Sequence, residues 1–531
     1  MTESSMKREE NKAQNPGAHL PAVAKHDPKW VSVVGTSRRY NRNLMLVVLL
    51  IALAMSLIQV SSVNVALSSI ATATGATSTE LQWILSGYAL AIGVALVPSG
   101  RLGDLIGRAE LFTVGMVLFT LASTACGLVS HAGVLNVLRV LQGLAAGVFS
   151  PQITGIIQQY FRGQARAKAF ALFGFVISVS VALGPVMAGV LIQLLGGQTG
   201  WRSTFLINLP LGVAGVVAAL LWLPFGAERR RRDAGKGSHL VARRIDLDPV
   251  GTVLLVLTVV MIMLPFVTRN HPMIWLLLPT ALFTGVCWVL WERRYAARGG
   301  DPMVDLRLFT LSSFSYCNAV AALQFLGITS VFALVAIYLQ QGLGRSALLA
   351  GVIGLPNAAA SAVSSLWSGK YAINYGRGLQ VFAVGMMALG VSLAAGAALM
   401  VPQGWSVWWM AVGFGVQGIG QGMMASVNQT QAMLDVPPAQ GGVAGGVTQT
   451  VQRITTAIGN AMMTGIFFAL AAGADGAAAG AAESVRAWSD AIAVAYLTIG
   501  AIMVVCLGVA VAYWRTGRRG GNHRAVTARA E

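Results

Sequence analysis

Residues Gly100–Arg108 read GRLGDLIGR and lie between two long apolar runs. Much later, Gly369–Arg377 reads GKYAINYGR, again between two apolar runs. Both stretches have Gly, a second Gly seven residues on, and then Arg. Both put a base, Arg101 or Lys370, directly after the first Gly. The fifth place is Asp104 in the first copy and Ile373 in the second. Two copies of one short polar hairpin predict a chain built from two related halves.

Composition limits what the halves can be. Hydrophobic residues make up 55% of the chain and charged residues only 11%, against roughly a quarter charged in a soluble domain. An ordinary globular protein is excluded. The net charge of +18 would sit on one soluble face in a nucleic-acid binder. Here most of it falls in short segments between apolar runs, so the partner is the lipid bilayer and not nucleic acid.

A membrane span needs about 20 mostly apolar residues, and fourteen such runs occur between residues 44 and 513. Each is predicted to be helical, because the hydrocarbon offers no other partner to the backbone. One set of loops holds nearly all the Arg and Lys, including Arg101, Arg108, Arg162, Arg166 and Arg229–Arg232. The other set holds only Arg202, Arg269, Arg345 and Arg486. The asymmetry puts the basic loops and both termini in the cytosol of a multi-pass cell-membrane protein.

The longest basic loop follows the sixth span, which gives a 6+2+6 plan. The predicted segments are a disordered basic tail (1–43), a six-helix bundle (44–225), a cytosolic loop (226–248), two extra spans (249–292), a linker (293–313), a second six-helix bundle (314–513) and a basic tail (514–531). A lighter echo between the halves is QGLAAG (Gln142–Gly147) against QGIGQG (Gln417–Gly422). Cys126, Cys287, Cys317 and Cys506 each lie inside an apolar run with no CxxC spacing, and read as core residues rather than disulfides or metal ligands.

At this point the chain resembles the major facilitator superfamily, and within it the fourteen-span drug:proton antiporters. The resemblance rests on SSVNVALSS (Ser61–Ser69), QWILSGYAL (Gln82–Leu90), the GRLGDLIGR hairpin, RVLQGLAAG (Arg139–Gly147), GPVMAG (Gly184–Gly189), WRSTFLINLPLG (Trp201–Gly212) and DPMVDLRLF (Asp301–Phe309). It implies an all-α integral membrane fold of fourteen helices, with two pseudo-symmetric six-helix bundles. The implied function is alternating-access efflux of small amphiphilic compounds, driven by the proton gradient and needing no cofactor. One departure matters. The family's first span usually carries an Asp five residues before the Asn of its NVAL segment, and Gln59 stands there.

The resemblance assigns roles to particular residues. Asp104 and Arg108 would latch the two halves together at the cytosolic side, with the acid near a helix N-terminus of the opposite half. The plain alternative is a solvated pair worth little. Arg139 lies about 12 Å into span four, where a charge costs about 2.5–3.5 kcal/mol on the gentler insertion scale. It has two readings, a proton-coupling group or a clamp on backbone carbonyls and Gln side chains. Arg453 in span thirteen has the same two. Gly184, Pro185 and Gly189 form the antiporter motif, which close helix packing alone would also explain.

Candidate residues for the midplane cavity are Gln59, Asn64, Trp83, Tyr88, Gln142, Gln324, Tyr338, Asn357 and Gln421. Glu80, Glu110, Asp435, Asp490, His131 and His271 all lie at span edges, so none supplies a titrating group at mid-membrane. With Arg139 and Arg453 as the deep charges, neutral or weakly acidic amphiphiles are the expected cargo. Three alternatives stay open: an exporter of an organic acid or lipid that is not proton-coupled through span one, a non-transporting membrane sensor, and a membrane enzyme. The enzyme is disfavoured because no catalytic motif or mid-membrane acid/base pair is present. A periplasmic adaptor is a further partner that the sequence leaves open.

Overall fold

A computed structural model describes residues 29–33, 38–228, 230, 246–268, 272–471 and 481–527. The first 28 residues, most of the 226–248 loop, Arg269, His271 and the last four residues lie outside this description.

Each of the fourteen apolar runs has its own helical segment; the sixth breaks at Ile207, the ninth changes pitch at Ile328–Ser330 and Tyr338–Gly342, and the tenth breaks at Ile353–Gly354. The helices of the first half are α1 (Arg42–Thr74), α2 (Ser78–Ile106), α3 (Arg108–Leu128), α4 (Ala132–Tyr160), α5 (Gly163–Leu195) and α6 (Gly197–Trp222). The extra pair is α7 (Pro249–Val267) and α8 (Met273–Ala297). The second half comprises α9 (Ser312–Gly342), α10 (Leu348–Gly369), α11 (Gly376–Gln403), α12 (Trp409–Ala432), α13 (Gly441–Ala471) and α14 (Ala481–Thr527).

Among the described residues, thirteen helices are long and apolar enough to cross a membrane. The remaining one, α12, carries Gln417, Gln421, Asn428, Gln429 and Gln431. It packs between α10 and α11, and neighbours satisfy some of its amides, while both polar atoms of the Gln417 amide and Gln421 Oε1 have no partner among the described residues. Gln380 Nε2 donates to Asn428 Oδ1 at 2.7 Å, and Gln431 Nε2 donates to the Ala372 carbonyl at 2.7 Å. A helix hidden from lipid can be polar where an outer one cannot.

The helices outrun the apolar stretches, because helix hydrogen bonding continues past the hydrocarbon edge. At the C-terminus α14 runs on past residue 514 into the basic segment, as far as Thr527. The N-terminal tail needs correction. Trp30–Ser32 pairs antiparallel with Arg39–Asn41, and Val33 and Tyr40 are buried in the core of the first half. The chain between α2 and α3 turns at one residue, Gly107, with φ +142°. Only Gly adopts that conformation without strain, which explains the second Gly of the hairpin.

Each half has its own apolar core. In the first, Phe149 stands edge-on to Phe112 and Phe119 with ring centroids 6.2 and 5.7 Å away. In the second, Tyr338, Met387, Phe414 and Tyr496 are buried together. The halves meet through pseudo-equivalent pairs. Helix α2 packs on α13 and α10 packs on α5, and likewise α13 packs on α4 while α5 packs on α12. Numbering each half one to six, both sets join helix two to helix five and helix five to helix four, which is what two related halves require. The α7–α8 pair packs on itself and rests α7 against α2 and α13. All four cysteines are free, and three of them are fully buried.

Candidate functional site

Both hairpins lie at one end of the bundle, and there the halves are fastened together. Asp104, at the end of α2, reaches the start of α13. Its Oδ1 accepts from the backbone N–H of Gly442 at 3.0 Å and its Oδ2 from that of Val443 at 2.9 Å. A carboxylate on the free N–H groups of a helix start is favoured by hydrogen bonding and by the helix dipole. Arg108 holds the same carboxylate, with Nε 2.7 Å and Nη2 2.6 Å from Oδ1. It also donates to the Gly155 carbonyl at 2.9 Å, to Gln159 Oε1, and across the interface to the Pro438 carbonyl at 2.7 Å. The pair is 2–3% exposed. It is therefore not the solvated surface pair of the plain reading.

Close backbone contact makes this possible. A Cβ placed on Gly100 would lie 2.4 Å from the Gly442 carbonyl oxygen, so only glycine lets α2 approach α13. Further bonds join the halves alongside. Gln158 Nε2 donates to the carbonyls of Met433 and Val436 at 2.9 and 2.8 Å, and Gln164 Nε2 to that of Lys370 at 2.9 Å. Deeper in the bundle the Ser178 and Ser361 hydroxyls are 2.6 Å apart.

The second hairpin docks in the same way without charge. Ile373 packs against Ala167 at the start of α5, with Ala372 and Val427. The acid of the first copy is thus replaced by an apolar plug at the pseudo-equivalent helix start. Sequence reasoning missed one member of the first cluster. Glu228, just past α6, is 9% exposed and lies within reach of Arg108, Gln159 and Glu110. Burial pushes its carboxyl above the usual carboxylate range, with Glu110 adding to the rise and Arg108 opposing it. Its place in an arginine-rich loop hid it.

Arg139 is 1% exposed inside the first half. Its Nε donates to the Ile84 carbonyl at 2.9 Å, its Nη1 to Gln142 Oε1 at 2.7 Å, and its guanidinium lies 4.1 Å from the Tyr88 ring centroid. Tyr88 Oη pairs with Ser56 Oγ at 3.0 Å. Arg453 of α13 is half-buried. It passes Gly93 of α2 and lies in electrostatic reach of Tyr88. Its guanidinium makes no hydrogen bond among the described residues. The structure therefore gathers Arg139, Gln142 and Tyr88 inside the first half, and Arg453 approaches Tyr88 from the second.

The other candidates divide. Asn64 is exposed, Trp83 and Gln421 are half-buried, and Gln324 is buried on α9. Three expected cavity residues are corrected. Gln59 is fully buried and accepts through Oε1 from Asn208 Nδ2, which also donates to Ser123 Oγ at 2.9 Å. Tyr338 Oη pairs with Ser489 Oγ at 2.8 Å inside the second half. Asn357 Nδ2 ties α10 to the Phe414 carbonyl of α12 at 3.1 Å. Buried polar groups find hydrogen-bond partners, and these find theirs within one half. In the antiporter motif, Gly184 is pressed on α1, where a Cβ would meet the Ser61 hydroxyl and the Ile58 carbonyl. Gly189 has open space around it, so only the first glycine is required by packing.

The Major Facilitator Superfamily sequence profile matches residues 49–460. The chain belongs to that superfamily. It is thus a multi-pass membrane transporter and not an enzyme. It is 34% identical to a "Probable actinorhodin transporter" of Streptomyces coelicolor, over 80% of this transporter and 72% of that protein. It is 28% identical to "Multidrug resistance protein Stp" of Mycobacterium tuberculosis, over 77% and 72% respectively. Among solved structures, the proton:xylose symporter XylE bound to 6-bromo-6-deoxy-D-glucose superposes with a TM-score of 0.59 at 14% identity, covering 86% of this transporter and 94% of that chain. That likeness concerns the fold alone.

Proposed function

We propose that this transporter exports small amphiphilic compounds by alternating access, with the hairpin end facing the cytosol. The observation that carries the reading is the Asp104 carboxylate bonded to Gly442 and Val443 across the halves. It is a reversible, charge-assisted fastening at one end of a two-lobed bundle. The basic loops support the orientation, and relatives named for drug resistance and antibiotic transport support the direction of flux.

Cargo would bind between the halves, near Tyr88 and Arg453, with Asn64, Trp83 and Gln421 as further contacts. Among the described residues Arg453 has no carboxylate to pair with, and no Asp or Glu lies in the middle of a span. An anionic or weakly acidic group on the cargo would meet that charge, so such amphiphiles are the favoured class. Proton antiport is the energy source we favour on family grounds.

A second reading has its own observation. Gln59 is an amide locked to Asn208 inside the first half, and it neither titrates nor faces cargo. An exporter of an organic acid or lipid, uncoupled from protons at this site, fits that. Everted vesicles separate the two. Uptake that collapses with the pH gradient supports antiport. Uptake that ignores it sinks antiport and leaves the exporter. No uptake of any amphiphile in a broad panel sinks both.

A further inference from the structure

The two halves meet along two pseudo-equivalent seams, and the extra helices lie on one of them. Helix α7 packs against both α2 and α13. Its seam-facing side carries Val259, Met263 and Val267, all buried, and its opposite side carries Val250, Val253 and Leu257, all exposed. That is the pattern of a wall with the bundle on one side and hydrocarbon on the other. Gln82 Nε2 donates to the Val267 carbonyl at the outer end of this seam. On α8, which packs on α7, Trp288 joins Leu255 of α7 against the core of the first half.

The other seam has no such wall among the described residues. From Leu355 to Gly369, α10 packs on α5 and α12, and its outer face is open. Aligning Gly100 with Gly369 places Val94 of α2 opposite Val363 of α10, and Val97 opposite Leu366. Val94 is half-buried where Val363 is 70% exposed, and Val97 is 3% exposed where Leu366 is 39%. The chemistry at mid-depth differs as well. The Gly100 contact on Gly442 and the Gly369 contact on Ala167 align α13 with α5, which places Arg453 opposite Ser178. On the open seam the Ser178 and Ser361 hydroxyls pair at 2.6 Å, and Ser365 Oγ donates to the Ala171 carbonyl at 2.8 Å. Hydroxyls satisfied in this way can stand beside lipid. On the covered seam a guanidinium takes the place of the serine, and a guanidinium facing hydrocarbon is strongly disfavoured.

Met263 is the side chain that stands beside it. A Cβ on Gly93 would lie 3.0 Å from Met263 Sδ, 3.6 Å from its Cε and 3.8 Å from Arg453 Cβ. The thioether and the Arg453 stem therefore converge over the bare backbone of Gly93, and Met263 is 1% exposed. A flexible, polarisable side chain suits such a gap. We propose that Met263 is the lipid-side wall of the Arg453 site. It closes the α2–α13 seam against the bilayer, keeps acyl chains off the guanidinium, and leaves that charge to the space between the halves. Met263 is thereby a specificity-determining residue, because the charge that Arg453 offers to an acidic cargo depends on lipid being kept from it. That last step rests on the cargo reading of Arg453; the wall does not.

The test is carbene labelling of the full chain in lipid nanodiscs with a membrane-dissolved diazirine reagent, read residue by residue by mass spectrometry. In the wild type, Val363 and Leu366 should be labelled, Val94 and Val97 far less, and Gly93 and Arg453 not at all. Equal labelling of the two aligned pairs overturns the wall, and this arm needs no variant. Met263→Ala should open the gap, so that label appears on Gly93 and Arg453. Val253→Ala, a similar shortening on the lipid-facing side of the same helix, should leave both unlabelled. Met263→Ala without label at Arg453, or both variants with it, overturns the role of Met263. The cargo step is read by tryptophan quenching with an acidic and a neutral amphiphile of similar size. Met263→Ala should lose most of the wild-type preference for the acidic probe, and Val253→Ala should keep it. A preference unchanged in Met263→Ala overturns the specificity role. A wild type that binds neither probe overturns the cargo reading and the specificity role together, while the labelling arm, which needs no cargo, still decides the wall.

Discussion

Asp104 and Val443 lie in opposite halves of the transporter, and the backbone N–H of Val443 donates to the Asp104 carboxylate at 2.9 Å. With the bond from Gly442 and the clasp of Arg108, this makes the acid of one short hairpin the main polar bolt between the lobes. Hydrogen bonds to a charged group contribute about 1.5–3 kcal/mol each. Asp104→Asn keeps the shape and removes the charge. The closed-to-open ratio at the hairpin end should therefore fall by about one to two powers of ten. Cross-linking between cysteines placed at Arg162 and Lys370 measures this, and an unchanged yield would count against the bolt.

The glycines of the bundle supply a sharper steric test. Gly100→Ala sets a methyl 2.4 Å from the Gly442 carbonyl, which cannot be accommodated while α2 and α13 touch. Efflux and hairpin-end cross-linking should both be lost. Gly189→Ala has open space and should behave as wild type. Equal effects of the two changes would show that helix propensity, not contact between the halves, decides.

Arg453 should discriminate cargo by charge. It has no hydrogen-bond partner among the described residues, so Arg453→Gln removes a cation without orphaning a neighbour. Binding of an acidic amphiphile should weaken by at least about tenfold, since a charged hydrogen bond is worth about 1.5 kcal/mol or more. A neutral amphiphile of similar size should be little affected. Tryptophan-quenching titrations with the two probes read the difference. Arg139→Gln, by contrast, breaks the bond to the Ile84 carbonyl and the stack on Tyr88, and should cost stability whatever the cargo.

Glu228 sets a pH dependence of known sign. Burial raises its carboxyl above the unfolded value. Its contribution to stability is therefore fully present below the unfolded titration range and is lost as pH rises through the higher folded value. Glu228→Gln should flatten the part of the decline in Tm that sets in as pH rises above the unfolded carboxyl range, measured by scanning fluorimetry of the protein in detergent. A variant whose Tm falls with pH in parallel to the wild type would contradict the burial account.

What the sequence made legible follows from which physical constraints are local. Fourteen helices were readable because an apolar run in lipid has no other way to satisfy its backbone. Asp104 and Arg108 were readable because the duplicated GxxxxxxGR spacing marks them. Faces were not readable. Gln59, Tyr338 and Asn357 are polar residues in apolar helices, and their partners Asn208, Ser489 and the Phe414 carbonyl are remote in the chain. Only the packing shows that they are crossties within a half. Glu228 was hidden for the opposite reason, a buried acid inside a run of arginines that composition reads as solvated. The strands at Trp30–Ser32 and Arg39–Asn41 are too short to stand out in a polar tail.

The claim most open to a direct test is that the two halves pivot, closing one end as the other opens. Two pairs of spin labels read it by pulsed dipolar spectroscopy, Arg162 with Lys370 at the hairpin end and Gln198 with Arg345 at the opposite end. All four positions are exposed. Introducing Asp104→Asn should lengthen the first distance and shorten the second. Distances that stay fixed, or that lengthen together, would contradict the account.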